Sequence, residues 1–266
     1  MATSATVYQD RDMSIGRVFE RAVSTVRHNL AVIIGLALLL AVLPRIILTY
    51  LASSAGLIGV FNPADPGSIA VVWTTMLVTM MIGFVASAIV QGALTRVTVA
   101  DSEGQVASFA DALSTGLSVM LPIIGVGIIY GLCMIIGFVL LIIPGFIVMT
   151  ALSVATSVLV VERNGVFDAI ARSRELTKGY GLKIFGLYLV IGVAYLLITW
   201  LFGLVGLKEY NPSQAGSTLT VGTILGTAIL GAIIGGVAGV IQPALYIELR
   251  QAKEGGTAEN LADVFA

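Results

Sequence analysis

Apolar positions along this chain follow two distinct patterns. The first is continuous, with long apolar runs at 30–52, 69–97, 117–140, 142–161, 182–205 and 219–247. About 20 apolar residues cross the hydrocarbon core of a bilayer as a helix, so each run predicts one span. The third and fourth could pass for a single run, because no charged residue lies between Asp111 and Glu162. That stretch is roughly twice one span, and Ile143-Pro144-Gly145-Phe146 sits near its centre. Proline removes a backbone donor and glycine permits a sharp reversal, which predicts a tight helical hairpin. A β-barrel would instead show alternating segments of about ten residues.

The second pattern is periodic. Ile15, Val18, Phe19, Ala22, Val23, Val26 and Leu30 fall on one face of a helix, with Arg17, Glu20, Arg21, Ser24 and Arg27 around the rest. The spacing recurs at Val106, Phe109, Ala110, Leu113, Leu117 and Met120, and less cleanly at Val166, Phe167, Ala169, Ile170, Ser173 and Leu176. Ala22-Val-Ser-Thr…Ile33-Ile-Gly35 and Ala112-Leu-Ser-Thr…Ile123-Ile-Gly125 share six identities over fourteen ungapped positions. A third copy, Ala169-Ile…Ile184-Phe-Gly186, carries about one extra helical turn. The expected architecture is therefore an all-α polytopic membrane bundle of six transmembrane helices. It divides into three units, each an amphipathic helix followed by two spans. The segments are 1–29 before the membrane domain, 30–247 within it and 248–266 after it. Each amphipathic helix is expected to lie in the headgroup plane; the alternative is that it extends the following span.

Composition sharpens the class. Hydrophobic residues make up 58% and charged residues 11%, against about 25% charged in a soluble domain, which excludes a water-soluble globule. Arg11, Arg17, Arg21, Arg27, Arg96, Arg163, Arg172, Arg174, Lys178, Lys183, Arg250 and Lys253 fall on one side of the six spans, leaving only Arg45 and Lys208 elsewhere. The positive-inside rule makes that side cytoplasmic and puts both termini there. Trp73, Trp200, Tyr50 and Tyr210 then gather at the opposite interface. The polar lead before residue 30 and the Pro44-Arg45 interruption argue against a cleaved signal peptide. A formal charge of −1 gives no basis for nucleic-acid binding. The single Cys133 leaves neither disulfides within the chain nor cysteine-based metal sites.

Candidate chemistry is sparse. His28, the single histidine, stands at the start of the first run between Arg27 and Asn29, a place for a surface or headgroup contact. Phosphate-loop and zinc-helix motifs are absent from the sequence, and no catalytic residue, metal or cofactor is expected. Arg45 is the one charge inside a predicted span, placed where it can snorkel to the outer interface. Gln91 and Gln242 could bond between helices, and Gln242-Pro243 predicts a kink in the sixth span. That span is rich in glycine: Gly222, Gly226, Gly231, Gly235, Gly236 and Gly239. Gly231, Gly235 and Gly239 form a small-residue stripe, and Gly127 with Gly131 a similar notch. Either packs helices within the chain or makes a seam between copies.

The richest segment joins the fourth and fifth spans, where Arg163, Arg172, Arg174, Lys178 and Lys183 stand against Asp168 and Glu175. Basic residues at a cytoplasmic surface attract anionic lipid, although topology determination explains them equally well. Glu162 can pair there with Arg172 or with Arg250. Together with Arg17, Arg21 and Arg27, these cations are the expected contacts to lipid or a protein partner.

The chain resembles a bacterial family at this segment, in Val160-Val-Glu162…Phe167-Asp-Ala-Ile-Ala-Arg-Ser173-Arg-Glu-Leu-Thr-Lys-Gly179, and again in Leu245-Tyr-Ile-Glu-Leu-Arg250 with Glu254-Gly255. It is similar to the glycerophosphoryl diester phosphodiesterase membrane domain family and its stand-alone six-span relatives. The resemblance implies a multi-pass protein of the bacterial inner membrane. In fused members the phosphodiesterase activity belongs to an attached soluble domain, and no catalytic residue has a matching position here. The expected function is therefore non-enzymatic, engaging anionic lipid or a partner at the cytoplasmic leaflet in envelope or lipid homeostasis. The alternative is a transporter or lipid-translocating protein for an apolar or lipid-like substrate, favoured by repeats and a Gly/Pro-interrupted span.

Overall fold

The computed structural model describes residues 12–54, 65–209 and 221–254, and its secondary structure there is helical throughout. The order is α1 (Ile15–His28), α2 (Leu30–Ala37), a π turn (Leu38–Val42), α3 (Leu43–Ser54), α4 (Pro66–Ser102), α5 (Phe109–Leu140), α6 (Ile142–Ala151), α7 (Ala155–Glu162), α8 (Val166–Thr177), α9 (Gly181–Glu209) and α10 (Val221–Glu254). Among the described residues, Pro66–Ser102, Phe109–Leu140, Ile142–Glu162 and Gly181–Leu201 are long and apolar enough to cross a membrane. α1 with Leu30–Leu40, bent by 84°, makes a fifth candidate. The chain is thus an all-helical membrane protein.

Local chemistry explains the element ends. Asp65 caps α4 by accepting from the Gly67 and Ser68 amides at 3.0 and 3.2 Å, and Pro66 occupies the first helical position, where no donor is needed. The π turn leads directly into Pro44, whose missing N–H removes one bond of the ladder. Between α5 and α6 the reversal is made by Leu141, in extended conformation, so Pro144 and Gly145 lie inside the first turn of α6. Gly137 and Gly145 make that reversal tight. A Cβ on Gly137 would come within 2.9 Å of the Gly145 Cα.

The three amphipathic segments do not behave alike. α1 is a separate helix because Asn29 leaves helical geometry (φ −117°, ψ 25°) and its amide side chain donates to the Thr25 carbonyl at 3.2 Å. α8 is separate from α9 because Gly179 takes a positive φ of 92°. The second segment is a correction to the expectation of an interfacial helix, since Phe109 to Leu140 is one continuous helix. The helix passes through Pro122 without a break, and Gly116 is pressed against α4, where an added Cβ would meet the Ile89 carbonyl oxygen at 2.4 Å.

One break was not foreseen. The fourth apolar stretch is interrupted at 152–154, between α6 and α7. Ser173 of α8 donates to the Ala151 carbonyl at 2.9 Å, and the Thr177 hydroxyl, which donates to the Ser173 carbonyl at 2.9 Å, lies 3.3 Å from the Ala151 oxygen. Gln242 of α10 donates to the Ser153 carbonyl at 2.7 Å, with the Tyr188 hydroxyl at 3.5 Å. Backbone freed from a helix at membrane depth must find such partners, because lipid offers none.

The packed core lies at the charged end, where Val18, Leu36, Leu94, Val97, Val154, Leu176, Ile184, Leu245 and Leu249 are buried together. Toward the other end the helices stay apolar but exposed: the most hydrophobic window of α4 contains no buried residue. Lipid tails are as apolar as leucine, so these surfaces need no protein cover.

Candidate functional site

Each carboxylate buried at the charged end gathers its own partners. Glu248 of α10 is only 2% exposed. Its Oε1 accepts from Arg17 Nε at 2.7 Å and from the Ser14 amide at 3.1 Å, which holds the start of α1 against α10. The hydrogen bond to Glu248 keeps the Arg17 guanidinium above its ordinary pKa. Arg21, one turn on, donates to Gln251 Oε1 at 2.9 Å, and its Nη1 is buried without a hydrogen-bond partner. Burial pulls the Arg21 pKa down, with the Glu248 charge opposing the shift.

Asp101, at the end of α4, accepts from Thr25 Oγ1 at 2.8 Å and from Asn29 Nδ2 at 3.2 Å, and His28 Nδ1 lies 3.1 Å away. These bonds close the α1–α2 bend onto α4. His28 is therefore part of a structural bracket. Arg96 Nε reaches Asp111 Oδ2 at 3.0 Å, joining α4 to α5.

A further network joins the segment from Glu162 to Glu175 with the end of α10. Glu162 Oε1 lies 3.4 Å from Arg172 Nε and accepts from the Tyr246 hydroxyl at 3.1 Å. Arg172 also reaches Glu175 at 2.9 Å and pairs with Glu254. The hydrogen bond to Glu175 leads the effects that raise its pKa. Of the two partners open to Glu162, Arg172 is the one in place, while Arg250 bonds Glu254 at 3.1 Å. Lys183 pairs with Asp12 and donates to the Met13 carbonyl at 3.3 Å. Hydrogen bonding to Lys183 lowers the Asp12 pKa. Lys183 and Lys253 each stand 5.8 Å from the centre of the Tyr180 ring, a cation–π distance.

The eight cations singled out in the sequence thus divide evenly. Arg17, Arg21, Arg172 and Lys183 are engaged inside the molecule. Arg27, Arg163, Arg174 and Lys178 are exposed and form no ion pair among the described residues. Arg163 closes α7 in the left-handed region (φ 52°), which turns the chain back into α8. Phe167, Ala171 and Arg174 of α8 and Lys178 at its C-cap follow one another at helical spacing along an exposed stripe, with Phe167 77% exposed and Leu182 beyond it 88% exposed.

The singled-out glycines also divide. A Cβ on Gly127 would meet Phe84 at 3.1 Å, and one on Gly239 would meet Leu94 at 2.5 Å. Gly131, Gly231 and Gly235 face open space among the described residues. Sequence reasoning missed Glu248 and Asp101, whose only signal was an acidic residue at a helix end near an apolar face. Arg11, Tyr210 and Gly255 lie outside the described residues. No family model and no solved structure matches this chain.

Proposed function

We propose that this chain is a non-enzymatic protein of the bacterial inner membrane that engages anionic lipid headgroups at the cytoplasmic leaflet. The carrying observation is the exposed α8 stripe. Arg174 and Lys178 follow Phe167 along one face, Arg163 precedes it, and none of the three cations forms an ion pair among the described residues. An apolar anchor beside unneutralised cations is the composition that seats a helix at a negatively charged interface. The reading takes six spans with both termini cytoplasmic, the helix running from Leu30 through Ser54 as the first and the 34 residues of α10 as the sixth. It also keeps the resemblance to the stand-alone relatives of the phosphodiesterase membrane domain. In favour of that placement, the two matching segments meet through Glu162, Arg172, Tyr246 and Glu254.

Native mass spectrometry of the full chain in mild detergent, supplied with phosphatidylglycerol, tests the proposal. At roughly 1 kcal/mol per basic residue, replacing Arg163, Arg174 and Lys178 by glutamine weakens retention on the order of 100-fold. Unchanged retention in that triple variant would overturn the reading and direct attention to protein partners. A second reading, translocation of a lipid-like substrate, is favoured by the break at 152–154, since discontinuous helices are a recurrent feature of transporters. Reconstituted vesicles showing no protein-dependent lipid flux would remove it.

A further inference from the structure

The break in the fourth apolar stretch opens onto a cavity of about 430 Å³ between α4, α5, α6, α9 and α10. Ligand sites typically occupy about 300–1,000 Å³. Ser153 lies 9 residues before Glu162, or about 14 Å along a helix, and Gln91 of α4 and Gln242 of α10 converge on the same space. Ser153 lies two residues from Ala151, whose carbonyl accepts from Ser173 of α8.

We infer that this cavity binds a neutral, hydroxyl-bearing molecule. Among the described residues its lining contains no charged side chain, so a charged ligand would lose its hydration and gain no counter-charge. The lining is nonetheless polar where it is deepest. Gln91 Oε1 and Ser153 Oγ are both buried there without a hydrogen-bond partner, and Ser153 as a whole is 4% exposed. Gln242 Nε2 and the Tyr188 hydroxyl are directed at the Ser153 carbonyl. A carboxamide oxygen needs a donor, whereas a serine hydroxyl both donates and accepts. Ligand hydroxyls meet both needs; an ammonium group, with no acceptor of its own, meets only one. The remaining wall is apolar, including Phe84 and Ile241, and accepts a carbon skeleton. Ser87, an exposed member of the lining, marks its open side.

Two sources share this chemistry: a free polyol, and the hydroxyl end of a neutral lipid entering from the bilayer. Delipidated full-length protein in mild detergent is titrated with diacylglycerol and, separately, with glycerol, and binding is read by native mass spectrometry and by the shift in melting temperature. Binding of either probe is expected, weakened at least tenfold when Gln91→Leu and Ser153→Ala are combined. Diacylglycerol binding with glycerol inert assigns the site to a lipid, and a glycerol-only response assigns it to a free solute. Ser87→Phe, at an exposed position, obstructs the cavity without touching buried groups, so it reads out occupancy even where the double variant fails to fold. If the wild type binds neither probe, or both variants bind as the wild type does, the inference fails and the cavity holds only water. The Arg163, Arg174 and Lys178 glutamine variant is expected to bind diacylglycerol normally, so this site and the anionic-lipid surface stand or fall separately.

Discussion

A glycine in a membrane helix matters only where something occupies the place its side chain would take. At Gly116 that place belongs to backbone, with the Ile89 carbonyl oxygen 2.4 Å and the Ala93 nitrogen 3.2 Å from a built Cβ. Neither atom can rotate aside. Gly116→Ala is therefore expected to cost about 1–3 kcal/mol by overpacking, seen as a lower melting temperature in detergent. Gly231→Ala and Gly235→Ala, at positions that meet nothing among the described residues, should leave monomer stability unaltered. If they also leave the native mass unaltered, no seam between copies runs through that stripe. Spacing alone could not separate these cases. Small residues at four-residue intervals show where a second helix is able to approach, but which helix arrives depends on the tertiary arrangement. Gly92 and Gly116 meet through Ala88-x-x-x-Gly92 and Ala112-x-x-x-Gly116, spacings that the glycine-rich sixth span overshadowed.

Between elements, the clasp of α1 on α10 depends on Glu248 being buried and Arg17 reaching it. Removing one member of a buried pair leaves the other uncompensated, at about 3–5 kcal/mol; with Arg17 47% exposed, the lower figure applies to Arg17→Ala. Glu248→Gln combined with Arg17→Ala should recover part of that loss, and a double-mutant cycle in thermal unfolding measures the coupling. This level was partly legible beforehand. The apolar spacing from Ile15 to Leu30 marked out α1, whose span is Ile15–His28, and the same spacing located α8. It also suggested a separate helix from Val106 to Met120, where α5 runs on unbroken. The difference lies in single residues: Asn29 and Gly179 leave helical geometry, and nothing equivalent occurs at 116–121. The interruption at 152–154 had no such marker, since neither proline nor glycine stands there. Its causes are donors supplied from α8, α9 and α10, all distant in sequence.

For the whole molecule, core and charge share one end. The buried cluster joins α1, α4, α5, α7, α8 and α10 there, while Tyr50, Trp73 and Trp200 are exposed toward the other, as suits rings at a membrane–water boundary. A sidedness experiment follows directly. With Cys133→Ala as background, single cysteines replacing Arg27 and Arg174 should react with a membrane-impermeant maleimide only from the cytoplasmic side. Cysteines replacing Tyr50 and Trp73 should react only from the opposite side. Labelling of Arg174→Cys and Trp73→Cys from the same side would reject the six-span orientation.

The carbonyl of Ala151, halfway along the fourth apolar stretch, accepts from the Ser173 hydroxyl 22 residues later in the chain. α8 is therefore a cross-brace between the charged loop and the unwound stretch. Two residues beyond Ala151, the Ser153 carbonyl is held by Gln242. Ser173→Ala removes the brace at one end and is expected to lower the melting temperature while leaving the exposed cations of α8 in place.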